Sequence, residues 1–166
     1  VFETDTCGLI RLARTLNNGT DMNDQPLGCK TDFYIGAAAN PGSEDQDLEM
    51  AKLENKVTSG AGFIQTQPVY DLDKAKRFIE AAAHLNVPVL IGLMPLRGIK
   101  MARYLTDHVP GITIPVPIMD RLEKGGLAAG LEIAQEQYEQ LRTSAAGVHI
   151  MPMNHIDVVA RIVRGH

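Results

Sequence analysis

Two amide side chains, Gln65 and Gln67, stand at the end of an apolar run that reads GAGFIQTQPVYD over residues 60–71. An amide group both donates and accepts hydrogen bonds, so it suits a ligand ring that carries donors and acceptors on one edge. If this run is a strand of a parallel sheet, its carboxyl end belongs to the ligand-binding edge. We therefore expect Gln67 to project into a ligand site. The alternative is that both glutamines satisfy backbone groups of a loop.

The rest of the chain supplies the elements that would position these amides. Short apolar runs predict four strands near residues 33–39, 62–67, 87–94 and 147–151, and the third is apolar on both faces, as in a parallel sheet. Helical periodicity predicts helices over residues 8–16, 47–59, 71–85, 99–108, 115–122, 127–141 and 156–163, with Asp71 as an N-cap. This order, one helix and then four strand–helix units, is typical of an α/β chain with parallel strands.

A doubly wound sheet and a barrel both fit this alternation of strands and helices. A complete (β/α)8 barrel needs roughly 250 residues, whereas the chain has 166 residues and four βα units. We therefore expect residues 1–166 to form a single α/β domain of the (β/α)8 TIM-barrel type, of which this chain supplies about half.

Composition and charge argue against several classes of function. The net charge of −4 comes without a basic cluster, which argues against nucleic acid as a partner, and the apolar runs are too short for a membrane span. Two cysteines and the lack of a secretory signal pattern predict a cytoplasmic protein. The histidines show no metal-ligand spacing, and we expect no metal site. His149, inside the fourth predicted strand, is either a hydrogen-bonded interior residue or a contact at the strand end.

Several motifs, taken in order, resemble one family. Segments along nearly the whole chain are similar to the methylenetetrahydrofolate reductases: GLIRLARTLNNGTDMNDQPLG (8–28), FYIGAAANP (33–41), LENKVTSG (53–60), AGFIQTQPVYD (61–71), VPVLIGLMPL (87–96), VPGITIP (109–115) and GVHIMPMN (147–154). The resemblance implies a (β/α)8 barrel, of which this chain matches strands five to eight. It also implies an oxidoreductase of one-carbon and methionine metabolism, which reduces 5,10-methylenetetrahydrofolate to 5-methyltetrahydrofolate with FAD as the flavin and NAD(P)H as the reductant.

The resemblance assigns cofactor-binding roles to five residues. Ala38 and Asn40 match the end of strand five, which in the family lies along the adenosine part of FAD. Lys56 matches a helix lysine that faces the flavin phosphates, and a cation there would offset the pyrophosphate charge. Glu49 and Lys52 occupy the preceding turns of the same helix, within reach of the ribose or the phosphates. The alternatives are a tightly packed strand at residues 36–39 and a solvated lysine on the helix.

The resemblance also assigns substrate-binding roles. Gln67 matches the family glutamine that hydrogen-bonds the folate or the nicotinamide. Met101 and Leu105, on the helix after the third strand, match positions that contact the folate and the nicotinamide, although both are aliphatic here. No catalytic residue is assigned, because the strand glutamate that serves the family as general acid belongs to the unmatched half.

A chain that supplies only half of a barrel is expected to need further polypeptide to complete it. We expect the two outer strands to pair with the missing N-terminal half of the barrel or with a second chain in an oligomer, and we expect folate as the substrate. The alternative to an enzyme is a non-catalytic half-barrel that binds a ligand or completes a partner subunit.

Overall fold

The computed structural model describes residues 4–164, which form six helices and four strands. The elements alternate along the chain after the first helix. Their bounds are α1 (Thr6–Asn18), β1 (Gly36–Ala39), α2 (Gln46–Ser59), β2 (Phe63–Pro68), α3 (Leu72–Ala82), β3 (Val89–Leu93), α4 (Ile99–His108), α5 (Val116–Ser144), β4 (Gly147–Ile150) and α6 (Ile156–Arg164). A short 3-10 turn, Ala83–Leu85, continues α3.

The described strands form one parallel sheet in the order β1-β2-β3-β4. Sequential order with right-handed crossovers places the connecting helices on one face, as in a barrel and unlike a doubly wound sheet. The predicted parallel α/β fold is confirmed. β1 begins at Gly36, later than the predicted start at residue 33. Before Gly36 the chain makes a single ladder bond, from the Gly62 N–H to the Ile35 carbonyl at 2.7 Å, and the Tyr34 ring stacks on Phe63.

The core lies between one face of the sheet and the helices. Alternate strand residues such as Ala37, Ile64 and Ile91 are buried there against α1, α2, α3 and the end of α5. A further cluster joins Leu93 to Ala134 and Ile162 of the last two helices. Complete burial of one such aliphatic side chain stabilises the fold by about 1.5–3 kcal/mol. The opposite face of the sheet receives no helix from the described residues.

Aspartates start three of the helices. Asp5 and Asp45 cap α1 and α2 by accepting backbone N–H groups of the first turn. Asp71 caps α3 by accepting the backbone N–H groups of Asp73 and Lys74 at 3.0 and 3.1 Å, so the predicted N-cap is confirmed. A side-chain oxygen at this position satisfies backbone donors that have no partner within the helix.

The helices predicted over residues 115–122 and 127–141 are contiguous within α5 and meet at Gly126. This glycine has φ 54° and ψ −130°, which interrupts the helical backbone. Arg121 donates two hydrogen bonds across the break to Glu136, at 2.6 and 2.8 Å. Fifteen residues separate the pair, a distance of about 22 Å along a straight helix. The chain therefore bends sharply at Gly126, and the ion pair joins the two arms of α5.

Candidate functional site

The open face of the sheet carries several small and polar residues beside Leu90 and the stacked rings of Tyr34 and Phe63. Ala38, Gln65 and Leu90 lie side by side across the first three strands, and Gly147 continues the row on β4. His149 pairs with Gly92 in the next row of open-face residues toward the carboxyl ends of the strands. A barrel interior is normally filled by layers of branched Val, Ile and Leu. Small and polar residues at these positions leave room for a ligand.

β2 contains a bulge directly before its carboxyl end. The register with β3 shifts after Gln65, so that β2 has one residue more than its neighbour. Thr66 fills the irregularity: its buried hydroxyl accepts the Gly92 N–H at 2.9 Å and donates to the Gln67 carbonyl at 2.8 Å. Bulges beside functional sites re-aim single side chains. Here the bulge fixes the backbone around Gln67 and leaves its amide exposed, with no hydrogen bond to residues 4–164.

The turn after β1 is fixed by two of the predicted cofactor residues. Glu49, only 8% exposed, accepts the backbone N–H of Asn40 at 2.8 Å. The side-chain oxygen of Asn40 accepts the Gly42 N–H at 3.0 Å, and a Cβ at Gly111 would overlap the Asn40 amide. Glu49 therefore holds the turn to α2, while Asn40 packs against the loop that precedes α5. Their contact with a cofactor stays a prediction.

Lys56 reaches the unpaired edge of β1, where its Nζ donates to the Ala38 carbonyl at 2.7 Å. The Ile35 carbonyl bonds to β2, and backbone groups alternate sides along a strand, so the Ala38 carbonyl points away from β2. An ammonium group has three donors. Two of them have no hydrogen-bond partner among the described residues. Lys52, one turn earlier, is exposed.

A cavity of about 600 Å3 opens beside the start of α4, after the carboxyl end of β3. Its lining is Arg97, Gly98, Ile99, Lys100, Met101, Leu122, Glu123 and Gly126. Met101, a predicted substrate residue, is half-buried in its wall. Leu105 is 8% exposed and belongs to the core cluster that includes Ile112 and Leu122. Little of its surface is left for a ligand.

The predicted residues occupy one edge of the sheet without sharing one pocket. They lie near the carboxyl ends of β1 and β2 or on α2 and α4, the helices that follow β1 and β3. These strands belong to one sheet, and their carboxyl ends lie on the same side. The 600 Å3 cavity is lined by Met101 but not by Gln67 or Asn40. The edge is therefore divided into a β1 group, an exposed amide on β2 and a cavity beside α4.

Tyr70 ties together the loops that follow β2 and β3. Its hydroxyl donates to the Met94 carbonyl at 3.0 Å, and its own carbonyl accepts from Gln137 Nε2 of α5 at 3.1 Å. Burial raises the pKa of the Tyr70 hydroxyl well above its usual value, because the ionised form would lose its hydration. Tyr70 is therefore a neutral structural donor at working pH.

Three residues at the carboxyl edge of the sheet were not identified from the sequence. Thr66 is one, because a bulge depends on the register with the next strand. The other two are Arg97 and Lys100, which come after the third strand. Their position beyond a strand end could have identified them from the sequence as candidate ligand-binding residues. Arg97 donates from Nη1 to His155 Nε2 at 2.7 Å and so joins the loops after β3 and β4.

His149 differs from the expectation of a hydrogen-bonded interior residue. Its Nδ1 is buried and has no hydrogen-bond partner among the residues that the structure describes. Val148 and Ile150 on either side pack against the helices, so His149 belongs to the open face of the sheet. A buried ring nitrogen on that face is available to a ligand or to an ordered water.

The strand ends of the described chain carry groups that can bind a ligand. Over residues 4–164, no three His, Cys, Asp or Glu side chains are grouped so as to hold a metal ion. None of the helices in that range combines the length and the apolar character needed to cross a membrane. Amide, ammonium and guanidinium groups at the strand ends suit ligands that combine a polar ring with anionic groups.

A sequential parallel sheet, helices on one face and polar strand ends define a βα protein of the barrel type with its ligand edge at the carboxyl ends of the strands. A family model described as methylenetetrahydrofolate reductase matches residues 12–165 of the chain. The chain belongs to the methylenetetrahydrofolate reductase family.

Known relatives are similar along most of this chain. Methylenetetrahydrofolate reductase 1 of Schizosaccharomyces pombe is 31% identical over 80% of this chain and 24% of its own length. Methylenetetrahydrofolate reductase (NADH) 1 of Arabidopsis thaliana is 30% identical over 70% of this chain and 21% of its own length. The chain thus spans about a quarter or less of these relatives.

A solved structure shares the fold. It is a Clostridium thermocellum protein described as binding two copies of 5-methyl-5,6,7,8-tetrahydrofolic acid, with a TM-score of 0.58 and 21% identity over 80% of this chain and 52% of the other. At this level of identity the similarity concerns the arrangement of strands and helices.

Proposed function

We propose that this chain is part of an enzyme that reduces 5,10-methylenetetrahydrofolate to 5-methyltetrahydrofolate, with NADH or NADPH as the reductant. Family membership supports the reaction, and relatives carry names that specify NADH or NADPH. The observation that carries the proposal is the Gln67 amide, which is exposed at the bulged end of β2.

Gln67 would bind the folate or the nicotinamide ring. A pterin and a nicotinamide both present donors and acceptors together, and one amide can pair with both kinds of group. Because the Thr66 hydroxyl fixes the backbone on either side, the amide loses little freedom when it binds. Met101 would supply an apolar wall for a ring, while Leu105 supports that wall from the core.

The residues at the end of β1 fit FAD. The Lys56 ammonium has two N–H groups that could bind a pyrophosphate, and the small side chain of Ala38 allows a ligand to approach the strand closely. Asn40, Glu49 and Lys52 complete the proposed cofactor set. When bound, the flavin supplies hydride transfer between the nicotinamide and the folate. The protein's part is to hold and orient both rings.

The proposal includes closure of the sheet by further strands. In the described sheet β1 and β4 each have one unpaired edge, and the open face exposes Tyr34 at 72%. We propose that an N-terminal half of the barrel, or a second chain in an oligomer, covers both edges and supplies the general acid. A cytoplasmic setting and a place in one-carbon metabolism belong to the same proposal.

The open face also favours a second candidate function. A non-catalytic half-barrel that completes a partner subunit would equally need an exposed sheet face and free strand edges. It would need no ligand at Gln67.

One assay separates the two candidates. The protein, completed by the proposed N-terminal half or second chain, is supplied with FAD and 5,10-methylenetetrahydrofolate, and oxidation of NADH and NADPH is followed together with the visible spectrum. Folate-dependent oxidation that Gln67→Ala lowers supports the reductase. A protein that binds neither flavin nor folate, and that gains turnover only in complex with another subunit, whether or not Gln67 is present, supports the second candidate.

A further inference from the structure

His149 carries the only buried side-chain nitrogen or oxygen that lacks a hydrogen-bond partner in the part of the chain that the structure describes, and this atom is Nδ1. The residue as a whole is partly exposed. Its other ring nitrogen, Nε2, makes no hydrogen bond within residues 4–164 and is not buried. The ring therefore has one nitrogen enclosed and the other at the surface of the open face of the sheet.

The enclosed nitrogen favours one tautomer of the ring. A neutral imidazole has one N–H donor and one acceptor lone pair. An N–H enclosed without an acceptor loses its whole hydration, and buried N–H groups without a partner are rarer than acceptors without one. The lone pair is therefore expected on Nδ1, where an ordered water can satisfy it, and the proton on Nε2. In this tautomer His149 presents a hydrogen-bond donor to the open face.

The bulge of β2 brings the Gln67 backbone close to His149. His149 pairs with Gly92 of β3, and a Cβ at Gly92 would lie 2.7 Å from the Gln67 carbonyl oxygen. Ile91 and Leu93 on either side pack against the helices, so the Gly92 Cβ position faces the open side, as His149 does. The backbones of β2 and β4 are two strand spacings apart, about 10 Å. A single flat ring between them can therefore contact both Gln67 and His149.

We propose that His149 is a second ligand-binding residue of the site at Gln67, where its Nε2–H donates to a carbonyl oxygen on the ring that the Gln67 amide also binds. The assignment rests on the proposed function, in which that ring is the pterin of the folate or the nicotinamide. Both rings carry a carbonyl group that can accept this hydrogen bond. Two polar contacts from different strands fix the orientation of the ring as well as its position.

Substitution of His149 by the two amides separates the roles of the two ring nitrogens. A glutamine amide can take the position of Nε2, whereas the shorter asparagine reaches only that of Nδ1. His149→Gln, His149→Asn and His149→Leu are compared in the protein completed by the proposed N-terminal half or second chain. Isothermal titration with 5-methyltetrahydrofolate, NADH and NADPH gives the affinities, and urea unfolding gives the stability. His108→Gln is the control, because His108 is exposed at the end of α4 and lies outside the sheet.

We expect His149→Leu and His149→Asn to weaken the binding of one ring ligand by roughly two- to tenfold, which is the loss of one hydrogen bond. His149→Gln should retain the affinity of the unaltered protein, as should the His108→Gln control. Gln67→Ala should weaken the binding of the same ligand as His149→Leu, because both residues contact one ring.

Binding of every ligand that His149→Leu retains in full overturns this assignment alone, since Gln67→Ala still tests the proposed function. Rescue by asparagine instead of glutamine also overturns it, because Nδ1 would then be the ligand-binding atom. So does a loss of binding in all three His149 variants together with a lower free energy of unfolding, which would assign His149 to packing. Absence of both folate and nicotinamide binding by the unaltered, completed protein overturns this assignment together with the proposed function.

Discussion

At the end of β2, Thr66 has a structural role and its neighbour Gln67 has the proposed role in ligand binding. Thr66 is 2% exposed and completes the bulge through two hydrogen bonds, while Gln67 is exposed and has no partner among the residues described. The two side chains are adjacent in sequence, yet one faces the helices and the other the ligand edge. We therefore expect a substitution of Thr66 to lower stability and a substitution of Gln67 to lower turnover.

Gln67→Ala is expected to lower folate turnover by about tenfold, the loss of roughly one hydrogen bond to the reacting ligand, with a change in stability within about 0.5 kcal/mol. Thr66→Val is the structural control. It leaves the buried Gly92 N–H without its acceptor and should lower the free energy of unfolding by about 1–3 kcal/mol. Turnover and urea unfolding of both variants are measured side by side in the enzyme completed by the proposed N-terminal half or second chain, since residues 1–166 alone are expected to show no turnover. Full activity in Gln67→Ala would refute the assigned role.

At the scale of elements, α5 depends on its break and on the ion pair across it. Gly126 has a backbone conformation that favours glycine, and the space around a Cβ there is empty. Farther along, a Cβ at Gly130 would overlap the Leu96 carbonyl oxygen. The second arm of α5 thus packs closely on the loop after β3, while the first arm forms part of the cavity wall.

Gly126→Ala is expected to destabilise the protein by about 1–3 kcal/mol, because φ 54° and ψ −130° are strained for a residue with a Cβ. No steric clash adds to this cost. Thermal unfolding measures the effect, and Ala128→Gly, at an exposed position two residues further in the same helix, gives the cost of an ordinary helix substitution for comparison. A variant as stable as the parent protein would show that the break has another conformation.

The Arg121–Glu136 pair predicts a dependence of stability on pH. The hydrogen bond from Arg121 lowers the pKa of Glu136 below the ordinary value of a glutamate, so the folded carboxylate is harder to protonate than the unfolded one. The resulting stability is present above the ordinary pKa of a glutamate and is lost as the pH falls through the lower folded pKa. Both side chains are largely exposed, so the contribution is below about 1 kcal/mol.

Urea unfolding of the parent protein and of Glu136→Gln tests this dependence. The parent should be more stable at pH 7, and the difference should shrink in acid. Glu132→Gln is the control, because Glu132 lies 3.8 Å from the same Arg121 without a hydrogen bond and should matter less. A difference between parent and Glu136→Gln that stays constant with pH would contradict the linkage.

At the scale of the whole molecule, the described sheet has two unpaired edges and one open face. Lys56 covers part of the β1 edge through its bond to the Ala38 carbonyl, and edge lysines disfavour strand-to-strand aggregation. The open face carries the stacked rings of Tyr34 and Phe63. One lysine covers little of an edge, and this exposure supports the proposal that further polypeptide buries these groups.

Residues 1–166 expressed alone are therefore expected to self-associate or to be poorly soluble, and to show no reductase turnover with added FAD. The physical reasons are the unpaired strand edges and the lack of an assigned general acid. Sedimentation velocity and a folate-dependent NADH and NADPH oxidation assay give the two readouts. A well-behaved monomer with turnover like that of an intact reductase would contradict both the proposed closure and the assignment of the chemistry.

The sequence alone determined the order of strands and helices, the parallel sheet and the helix start at Asp71, because these depend on local periodicity and on side chains that bond to their own neighbours. It also placed Gln67 at the end of the second strand and Met101 on the helix after the third. Only the tertiary structure decided that Thr66 forms a bulge, that Leu105 is in the core and that Lys56 bonds to the β1 edge. Each of these depends on which residues of distant segments meet, and register, edge pairing and burial have no signature in a single stretch of chain.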